Sequence, residues 1–275
     1  MNEWTDFIPL ALAMLATGAA GGLLAGLLGV GGGIVIVPVL DVALATMQVD
    51  PAIRMHIAVA TSLATIIPTS LSSTRAHHRR RGVDFVLARN WGPYILLGAV
   101  AGSWIASNVD SAVLSLVFGV VALLVAAKML LPMGDLVLAE TTPRGPLGTL
   151  PPLAIGGIST MMGIGGGTLS VPAMTMINHP IHRAVGTAAL FGLFISVPGT
   201  LAYIVTGWGD PRLPPGSLGY VNLIGLLFIV PTTVLMAPWG AKLAHLMNKR
   251  QLSLAFGIFL LIVSCRMLYR SLITM

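Results

Sequence analysis

Charged residues are scarce in this sequence. Asp, Glu, Lys and Arg make up 9% of its 275 residues, whereas a soluble globular domain carries about 25%. Hydrophobic residues make up 56%, and the mean hydropathy is +0.91. A soluble chain of this length has too little interior to bury so many apolar side chains. The composition therefore excludes an ordinary soluble domain and predicts that a lipid bilayer surrounds the protein.

The sequence also lacks the features of a disulfide-bonded or secreted protein. Its one cysteine, Cys265, cannot form an internal disulfide bond. The first residues are acidic, unlike the basic start of a cleaved signal peptide, so we expect the first apolar segment to remain in the mature protein. The net charge is +6, but the basic residues cluster in short loops between apolar segments. This pattern is typical of the cytoplasmic side of a membrane protein and does not indicate nucleic-acid binding.

Apolar segments recur along the whole chain. Ten can be marked, at 7–28, 34–47, 53–74, 91–107, 112–131, 147–162, 168–178, 184–206, 220–244 and 252–272. An α-helix needs about 20 residues to cross the hydrocarbon core of a membrane. Segments 34–47 and 168–178 are shorter than this, and each directly follows a glycine-rich turn. We therefore predict an all-α polytopic membrane protein with two short, broken helices.

The chain is an internal duplication. The sequence GVGGGIVIVP at 29–38 returns as GIGGGTLSVP at 163–172, with four glycines, one valine and the proline unchanged. A second match joins LSLVFGVVALLVAAKMLL at 114–131 to LSLAFGIFLLIVSCRMLY at 252–269. These matches predict two homologous halves of five segments each. The predicted first repeat, linker and second repeat cover 1–135, 136–146 and 147–275.

Loop charges predict how the two halves are related. Five is an odd number, so a second half that follows five full crossings must be inverted. The loop 75–90 is strongly basic, and we expect it on the cytoplasmic side, whereas its counterpart at 207–219 carries one Arg and one Asp. A second pair of corresponding loops differs in the opposite sense. The loop 108–110 lacks a cation, whereas its counterpart 245–251 contains Lys and Arg. Both differences favour inverted repeats. If the two short segments are re-entrant, each half crosses four times and the repeats are parallel.

The glycine turns are the strongest candidates for a functional site. Backbone that leaves a helix inside the membrane must be buried or must line a wet cavity, because lipid offers no hydrogen-bond partners. The first N–H groups of the next helix, together with its dipole, favour an anion. The candidate residues are Gly29, Gly31, Gly32, Gly33, Gly163, Gly165, Gly166 and Gly167. The alternative is that these glycines only permit close helix packing.

The sequence does not favour an enzyme. Neither turn completes Gly-X-Gly-X-X-Gly, and no Gly-Lys-Ser/Thr follows, so a nucleotide site is not expected. Gly-X-Ser-X-Gly and His-Glu-X-X-His are both missing. The two histidines at 178–183 have no nearby carboxylate, which disfavours a metal site. We expect no cofactor. Asp41, within a short apolar segment, is a functional candidate that either carries a coupling proton or pairs with Arg54.

The paired GxGGGxxxVP motif, the stretch VGTAAL at 185–190 and the duplicated ten-segment layout resemble the sulfite exporter TauE/SafE family, also called the toluene-sulfonate uptake permease family. The resemblance implies a permease or exporter in the bacterial inner membrane for small sulfur-containing anions such as sulfite, thiosulfate or organosulfonates. Thr61 and Thr187 match the polar position that follows each turn in the family. Ser62 is more polar than its counterpart Ala188. All three hydroxyls are therefore candidate ligands of the anion.

The expected function is secondary transport, with the anion bound at the membrane midplane by helix N-termini. An anion channel, or a transporter of another small oxyanion or carboxylate, is the alternative. The expected partners are the substrate anion and the lipid bilayer, a homodimer is compatible with the sequence, and nucleic acid is not expected. The weaker hydroxyl candidates are Thr65 and Ser70. Ser and Thr in membrane helices more often bond to their own backbone.

Overall fold

The computed structural model describes residues 12, 14–23, 32–131, 145–246 and 249–274. Over these residues the chain forms ten helices and one short hairpin. The helices are α1 (Met14–Leu23), α2 (Gly33–Thr46), α3 (Pro51–Arg79), α4 (Phe85–Ser107), α5 (Ser111–Leu130), α6 (Pro146–Met162), α7 (Gly166–Met176), α8 (Ile181–Thr206), α9 (Leu223–Leu246) and α10 (Lys249–Thr274). The antiparallel strands are β1 (Ser217–Leu218) and β2 (Val221–Asn222). The predicted all-α polytopic class is confirmed.

Within the part of the chain that the structure describes, four helices are long and apolar enough to cross a membrane. They lie at Pro51–Arg79, Ser111–Leu130, Ile181–Thr206 and Ser253–Leu272. The two helices that follow the glycine turns are short, as predicted. Helix α2 has 14 residues and α7 has 11, which corresponds to about 21 and 16 Å at 1.5 Å per residue. Neither length covers the roughly 30 Å hydrocarbon core, so both helices start or end within the protein interior.

Helices α5 and α10, which the duplication equates, run antiparallel to each other. At one end of the pair the Ser253 hydroxyl donates to the Met129 carbonyl at 2.9 Å. At the other end the Ser271 hydroxyl donates to the Ala112 carbonyl at 2.9 Å. The start of α10 therefore lies beside the end of α5, and the end of α10 lies beside the start of α5.

Helices α3 and α8, which the duplication also equates, are antiparallel in the same way. The His56 ring near the start of α3 lies 6.3 Å from the Tyr203 ring near the end of α8. At the other end, a Cβ on Gly186 would lie 3.1 Å from Cβ of His77. Equivalent helices of the two halves thus point in opposite directions. Inverted repeats would give this arrangement, and the inverted repeat itself stays a prediction.

Two backbone-to-backbone seams join the halves. In α6, a Cβ on Gly156 would collide with the carbonyl oxygen of Ile95 in α4. In α1, a Cβ on Gly22 would lie 2.5 Å from the carbonyl oxygen of Thr233 in α9. In the alignment of the two repeats, Gly22 corresponds to Gly156 and Ile95 corresponds to Thr233. The same glycine-to-carbonyl contact is therefore present in both seams. Small residues permit this close approach of membrane helices.

Candidate anion site at the glycine turns

The first turn ends in a left-handed residue. Gly32 has φ 73° and ψ −24°, a conformation that glycine adopts without a steric penalty. Its carbonyl accepts from the N–H groups of Val35 at 3.0 Å and Ile36 at 2.9 Å, which begins α2. Gly32 has no side chain to cap the helix start. The positive end of the α2 dipole is therefore presented by bare backbone within a buried stretch of chain.

The second turn is built differently. Gly163 has φ 68° and ends α6; its N–H donates to the Thr160 carbonyl at 3.2 Å, and the Ile164 N–H donates to the Ser159 carbonyl at 3.0 Å. A left-handed glycine with these bonds is a common helix C-terminus. Gly165 is extended and precedes the first residue of α7. The chain from Gly163 to Gly165 is buried.

The two turns meet in the protein interior. A Cβ on Gly33, the first residue of α2, would lie 2.7 Å from the Gly163 carbonyl oxygen and 3.0 Å from Cα of Ile164. Only a glycine at position 33 permits this distance without displacing the opposite backbone. The Ser62 hydroxyl of α3 donates to the same Gly163 carbonyl at 2.7 Å, and Ser62 is fully buried. The structure therefore brings together three of the predicted site residues.

An apolar side chain lies beside both turns. Cδ1 of Ile66 would be 3.0 Å from a Cβ on Gly33, and its Cγ2 would be 3.6 Å from a Cβ on Gly165. Sequence reasoning missed Ile66, because an isoleucine among apolar residues carries no signal of its own. The available signal is spacing. Ser62, Ile66 and Ser70 follow one another at intervals of four residues, so they lie on one face of α3.

The start of α7 packs against α8. A Cβ on Gly166 would lie 2.8 Å from the Gly192 nitrogen and 2.9 Å from Cβ of Phe191. A Cβ on Gly192 would lie 3.7 Å from the Gly166 nitrogen and would collide with Oγ of Ser70. Gly192 therefore faces both the Ser70 hydroxyl, a weak candidate from sequence, and the first residue of α7. Gly167 is half-buried in the same helical turn. The candidates Gly29 and Gly31 lie outside the described residues.

Thr61 and Thr187 each accept a hydrogen bond from the backbone just before the start of another helix. The Thr61 hydroxyl accepts from the Asn222 N–H at 3.0 Å, immediately before α9. The Thr187 hydroxyl accepts from the Asp84 N–H at 2.9 Å, immediately before α4. Asp84 in turn caps α4 by accepting from two N–H groups of its first turn at 3.0 Å. These two hydroxyls therefore hold the starts of neighbouring helices from the opposite half of the chain.

Several buried hydroxyls near the second turn are not engaged. Buried polar atoms in native proteins are almost always hydrogen-bonded. Ser159 lies in the last turn of α6 and Thr168 in the first turn of α7, and their hydroxyls have no hydrogen-bond partner. Ser196, on the α8 face one turn beyond Gly192, is in the same condition. Such groups are available to the oxygen atoms of an anion, and sequence reasoning did not select them.

The model of the family described as sulfite exporter TauE/SafE matches residues 14–267, nearly the whole chain. The chain belongs to this family. The resemblance inferred from the paired glycine motif is therefore confirmed, and this TauE/SafE member is a membrane transporter rather than an enzyme.

Similar proteins carry the same general description. A probable membrane transporter protein of Haemophilus influenzae is 32% identical over 258 residues, which cover 93% of this TauE/SafE chain and 97% of the relative. The probable membrane transporter protein YunE of Bacillus subtilis is 25% identical, with 93% and 96% covered. The probable membrane transporter protein MJ0441 of Methanocaldococcus jannaschii is 23% identical, with 89% of each chain covered. No solved structure matches the chain.

Proposed function

We propose that this TauE/SafE protein is a secondary transporter of small sulfur-containing anions such as sulfite, thiosulfate or organosulfonates. The contact of Gly33 with the Gly163 carbonyl carries the proposal, because it places two glycine turns, one from each half, in one buried region. The substrate binds there, near the midplane. Transporters that bind anions between broken helices use this arrangement of paired helix starts.

The chemistry of the turns supports an anionic guest. Two helix starts offer backbone N–H groups and the positive ends of their dipoles. Glycines at these positions let the anion approach the backbone closely. A carbonyl oxygen such as that of Gly163 would repel an anion, but the Ser62 hydroxyl donates to it at 2.7 Å and offsets part of its partial charge. The unengaged hydroxyls of Ser159 and Thr168 supply further donors.

The proposal includes inverted repeats at 1–135 and 147–275, joined by a linker at 136–146. The antiparallel pairing of α3 with α8 and of α5 with α10 supports it. So does the charge difference between the basic loop 75–90 and its counterpart. We place that loop on the cytoplasmic side of the inner membrane. Alternating access then comes from one bundle moving against the other around the turns.

The membrane potential contributes to the free energy of moving an anion across the membrane. Moving one elementary charge across 100 mV changes the free energy by about 2.3 kcal/mol. The potential therefore favours export of a divalent anion from a cell that is negative inside, and export can proceed without a coupling ion. Import against the potential draws on a steep substrate gradient or on a cotransported cation or proton.

Flux measurements in proteoliposomes test the proposal. Purified protein is reconstituted, and uptake of sulfite, thiosulfate, sulfate, taurine, chloride, acetate and phosphate is compared at imposed potentials of both signs. We expect saturable uptake of a sulfur anion, with acceleration when the same anion is present on the far side. Linear, non-saturating flux would favour a channel. Saturable uptake of a carboxylate or phosphate with no competition from any sulfur anion would contradict the substrate class.

A further inference from the structure

Within the described residues, ion pairs join the two halves at three places. The first lies between helices. Asp41 of α2 pairs with Arg54, as the sequence suggested, and also with Arg266 and Arg270 of α10. This cluster ties α2 of the first half to α10 of the second.

The other two ion pairs lie in loops. Oδ2 of Asp50, just before α3, lies 3.6 Å from Nη1 of Arg212 in the loop after α8. Oδ2 of Asp84, in the loop after α3, lies 3.6 Å from Nε2 of His179, just before α8. Each pair thus joins the loop before one of these two equivalent helices to the loop after the other. Because α3 and α8 are antiparallel, the two pairs occupy equivalent places at opposite ends of the protein.

The two loop pairs differ in how their positive member responds to pH. Arginine keeps its charge throughout the physiological range. Arg212 also bonds to Asp210 at 2.7 Å, and this hydrogen bond lowers the pKa of the Asp210 carboxyl below its ordinary value. Histidine, in contrast, gains or loses its charge between about pH 5 and 8. Of the two loop pairs, the one that contains His179 is therefore the one that responds to pH.

The contact between His179 and Asp84 is partly buried and incomplete. Their side chains are 17% and 18% exposed, whereas those of Arg212 and Asp50 are 47% and 39% exposed. Within the described part of the chain, Nε2 of His179 is buried without a hydrogen-bond partner, which is unusual for a polar atom in a native protein. At 3.6 Å the bond to Asp84 is too long to count as formed. Protonation makes both ring nitrogens donors, so a charged His179 completes this bond after a short movement.

Both members of the pair are fixed to helices. Oδ1 of Asp84 accepts from two N–H groups in the first turn of α4 at 3.0 Å, and its own N–H donates to the Thr187 hydroxyl at 2.9 Å. The His179 N–H donates to the Met174 carbonyl of α7 at 3.0 Å. The pair therefore ties the end of α7 to the start of α4. Helix α7 begins at the second glycine turn, so movement at His179 acts on the helix that starts there.

Other titratable and charged groups border the same loop. A Cβ on Gly82 would lie 3.6 Å from Nδ1 of His77, near the end of α3, and 3.7 Å from the carbonyl oxygen of His182, in the first turn of α8. The arginines of this region are Arg80, Arg81 and Arg183. Asp84 is the carboxylate among these groups. It favours a charged His179, and the surrounding cations oppose that charge.

We propose that the His179–Asp84 pair is a pH-dependent latch, which holds this end of the protein closed when His179 is protonated. At low pH the charged ring binds the carboxylate. As the pH rises through the range in which histidine titrates, the charge is lost and the latch is released. The opposite end, held by Arg212 and Asp50, does not respond in this way. An effect of the latch on alternating access rests on the proposed function; the pH-dependent contact itself does not.

Maleimide labelling without substrate tests the latch, and its result does not depend on what the protein transports. Val83→Cys in a Cys265→Ser background reports opening, because Val83 adjoins Asp84 and is 9% exposed. Labelling rates of the detergent-purified protein are measured with and without His179→Gln. Because pH changes thiol reactivity in both proteins alike, the ratio of their rates isolates the latch.

The ratio should depend on pH. At about pH 5.5 the His179→Gln protein should label about fivefold faster, the upper end of what a partly exposed ion pair contributes. At about pH 8 the two proteins should label at the same rate, because an uncharged His179 holds the latch no better than glutamine. A ratio that stays constant over this range would overturn the proposal.

Asp84→Asn tests the other member of the pair. Asparagine still caps a helix but removes the negative charge that attracts His179. This variant should therefore label as His179→Gln does at each pH. Retention of the wild-type pH dependence in Asp84→Asn would overturn the proposal. If His179→Gln does not insert, the comparison of Asp84→Asn with the wild type decides.

His182→Gln and Arg212→Gln are the matched controls. His182 is an exposed histidine three residues from His179, and Arg212 belongs to the ion pair at the opposite end. Both variants should keep the pH dependence of the parent protein. Its loss in His182→Gln would assign the titration to that histidine, and its loss in Arg212→Gln would indicate a general charge effect. Either result would overturn the proposal.

Discussion

The Thr61 hydroxyl in α3 accepts a 3.0 Å hydrogen bond from the backbone N–H of Asn222, at the start of α9. The equivalent hydroxyl in the other half, Thr187 in α8, accepts at 2.9 Å from the N–H of Asp84, at the start of α4. Each half therefore fixes a helix of the other half by the same bond. All four residues occupy equivalent positions in the two repeats, so a single ancestral contact accounts for both bonds.

Thr61→Val and Thr187→Val should each lower stability. Valine keeps the shape but removes the acceptor, which leaves a buried N–H unpaired at a cost of about 1–3 kcal/mol. Unfolding in mixed detergent measures the change, and substrate KM is measured in proteoliposomes. Thr206→Val is the control, since its exposed hydroxyl bonds only within its own helix. A large rise in KM at unchanged stability would assign these hydroxyls to substrate binding.

Gly33→Ala should reduce transport at least about tenfold while the protein still inserts, because its Cβ must displace the Gly163 carbonyl. Gly82→Ala, in the loop after α3, is the control outside the turns. A Cβ there would lie 3.4 Å from the His77 carbonyl oxygen, an ordinary contact, and Gly82 is not left-handed. Initial uptake rates are normalised to inserted protein. Equal losses in the two variants would mean that contact between the turns does not matter for transport.

Ser62→Ala should weaken substrate binding. The Gly163 carbonyl loses its hydroxyl donor and turns an unneutralised oxygen toward the region of the turns, which disfavours an anion by about 1–3 kcal/mol. We expect KM to rise about tenfold or more. Ser103→Ala is the control: its buried hydroxyl donates to the Ala99 carbonyl of its own helix. An unchanged KM in Ser62→Ala would place the anion away from Gly163.

Ile66→Ala should change substrate size preference. Removing a buried side chain beside both turns creates space at a stability cost of about 2–5 kcal/mol. Uptake of a bulky aromatic sulfonate should therefore increase relative to sulfite. The ratio of the two initial rates is independent of the amount of folded protein. A ratio equal to that of the wild type would show that Ile66 does not limit the site.

Cysteine labelling checks the inverted arrangement. In a Cys265→Ser background, Arg80→Cys follows α3 and Trp208→Cys follows the equivalent helix α8; both positions are exposed. A membrane-impermeant maleimide should label Trp208→Cys in intact cells and Arg80→Cys only after lysis. Labelling of both positions from the same side would favour parallel repeats with re-entrant short helices.

Local chemistry explains what the sequence predicts well. Glycine-rich turns followed by a proline-containing helix interrupt any long span, so the breaks before α2 and α7 could be predicted. Hydropathy located the helices but not their ends. The segment 91–107 belongs to a helix that begins at Phe85, because Asp84 caps it. Likewise α3 continues past the apolar segment 53–74 to Arg79, since a helix does not end where its side chains become polar.

Long-range partners could not be predicted in this way. Arg270 bonds to Asp41, which lies 229 residues earlier in the chain, and no local pattern specifies that pairing. The direction of a hydroxyl is equally unpredictable: Thr61 and Ser62 are neighbours in α3, yet one bonds at the start of α9 and the other at the second turn. These partners are determined by how the helices pack together, which the local sequence pattern does not specify.

The paired glycine seams constrain how the protein can move. Helix α6 is pressed backbone to backbone on α4, and α1 on α9, and each pair takes one helix from either repeat. Because the backbones touch directly, no side chains between the helices can rearrange to let one helix slide along the other. In the proposed alternating access, each moving unit is therefore expected to contain helices from both repeats. A single repeat expressed alone would lack the partner helix of both contacts.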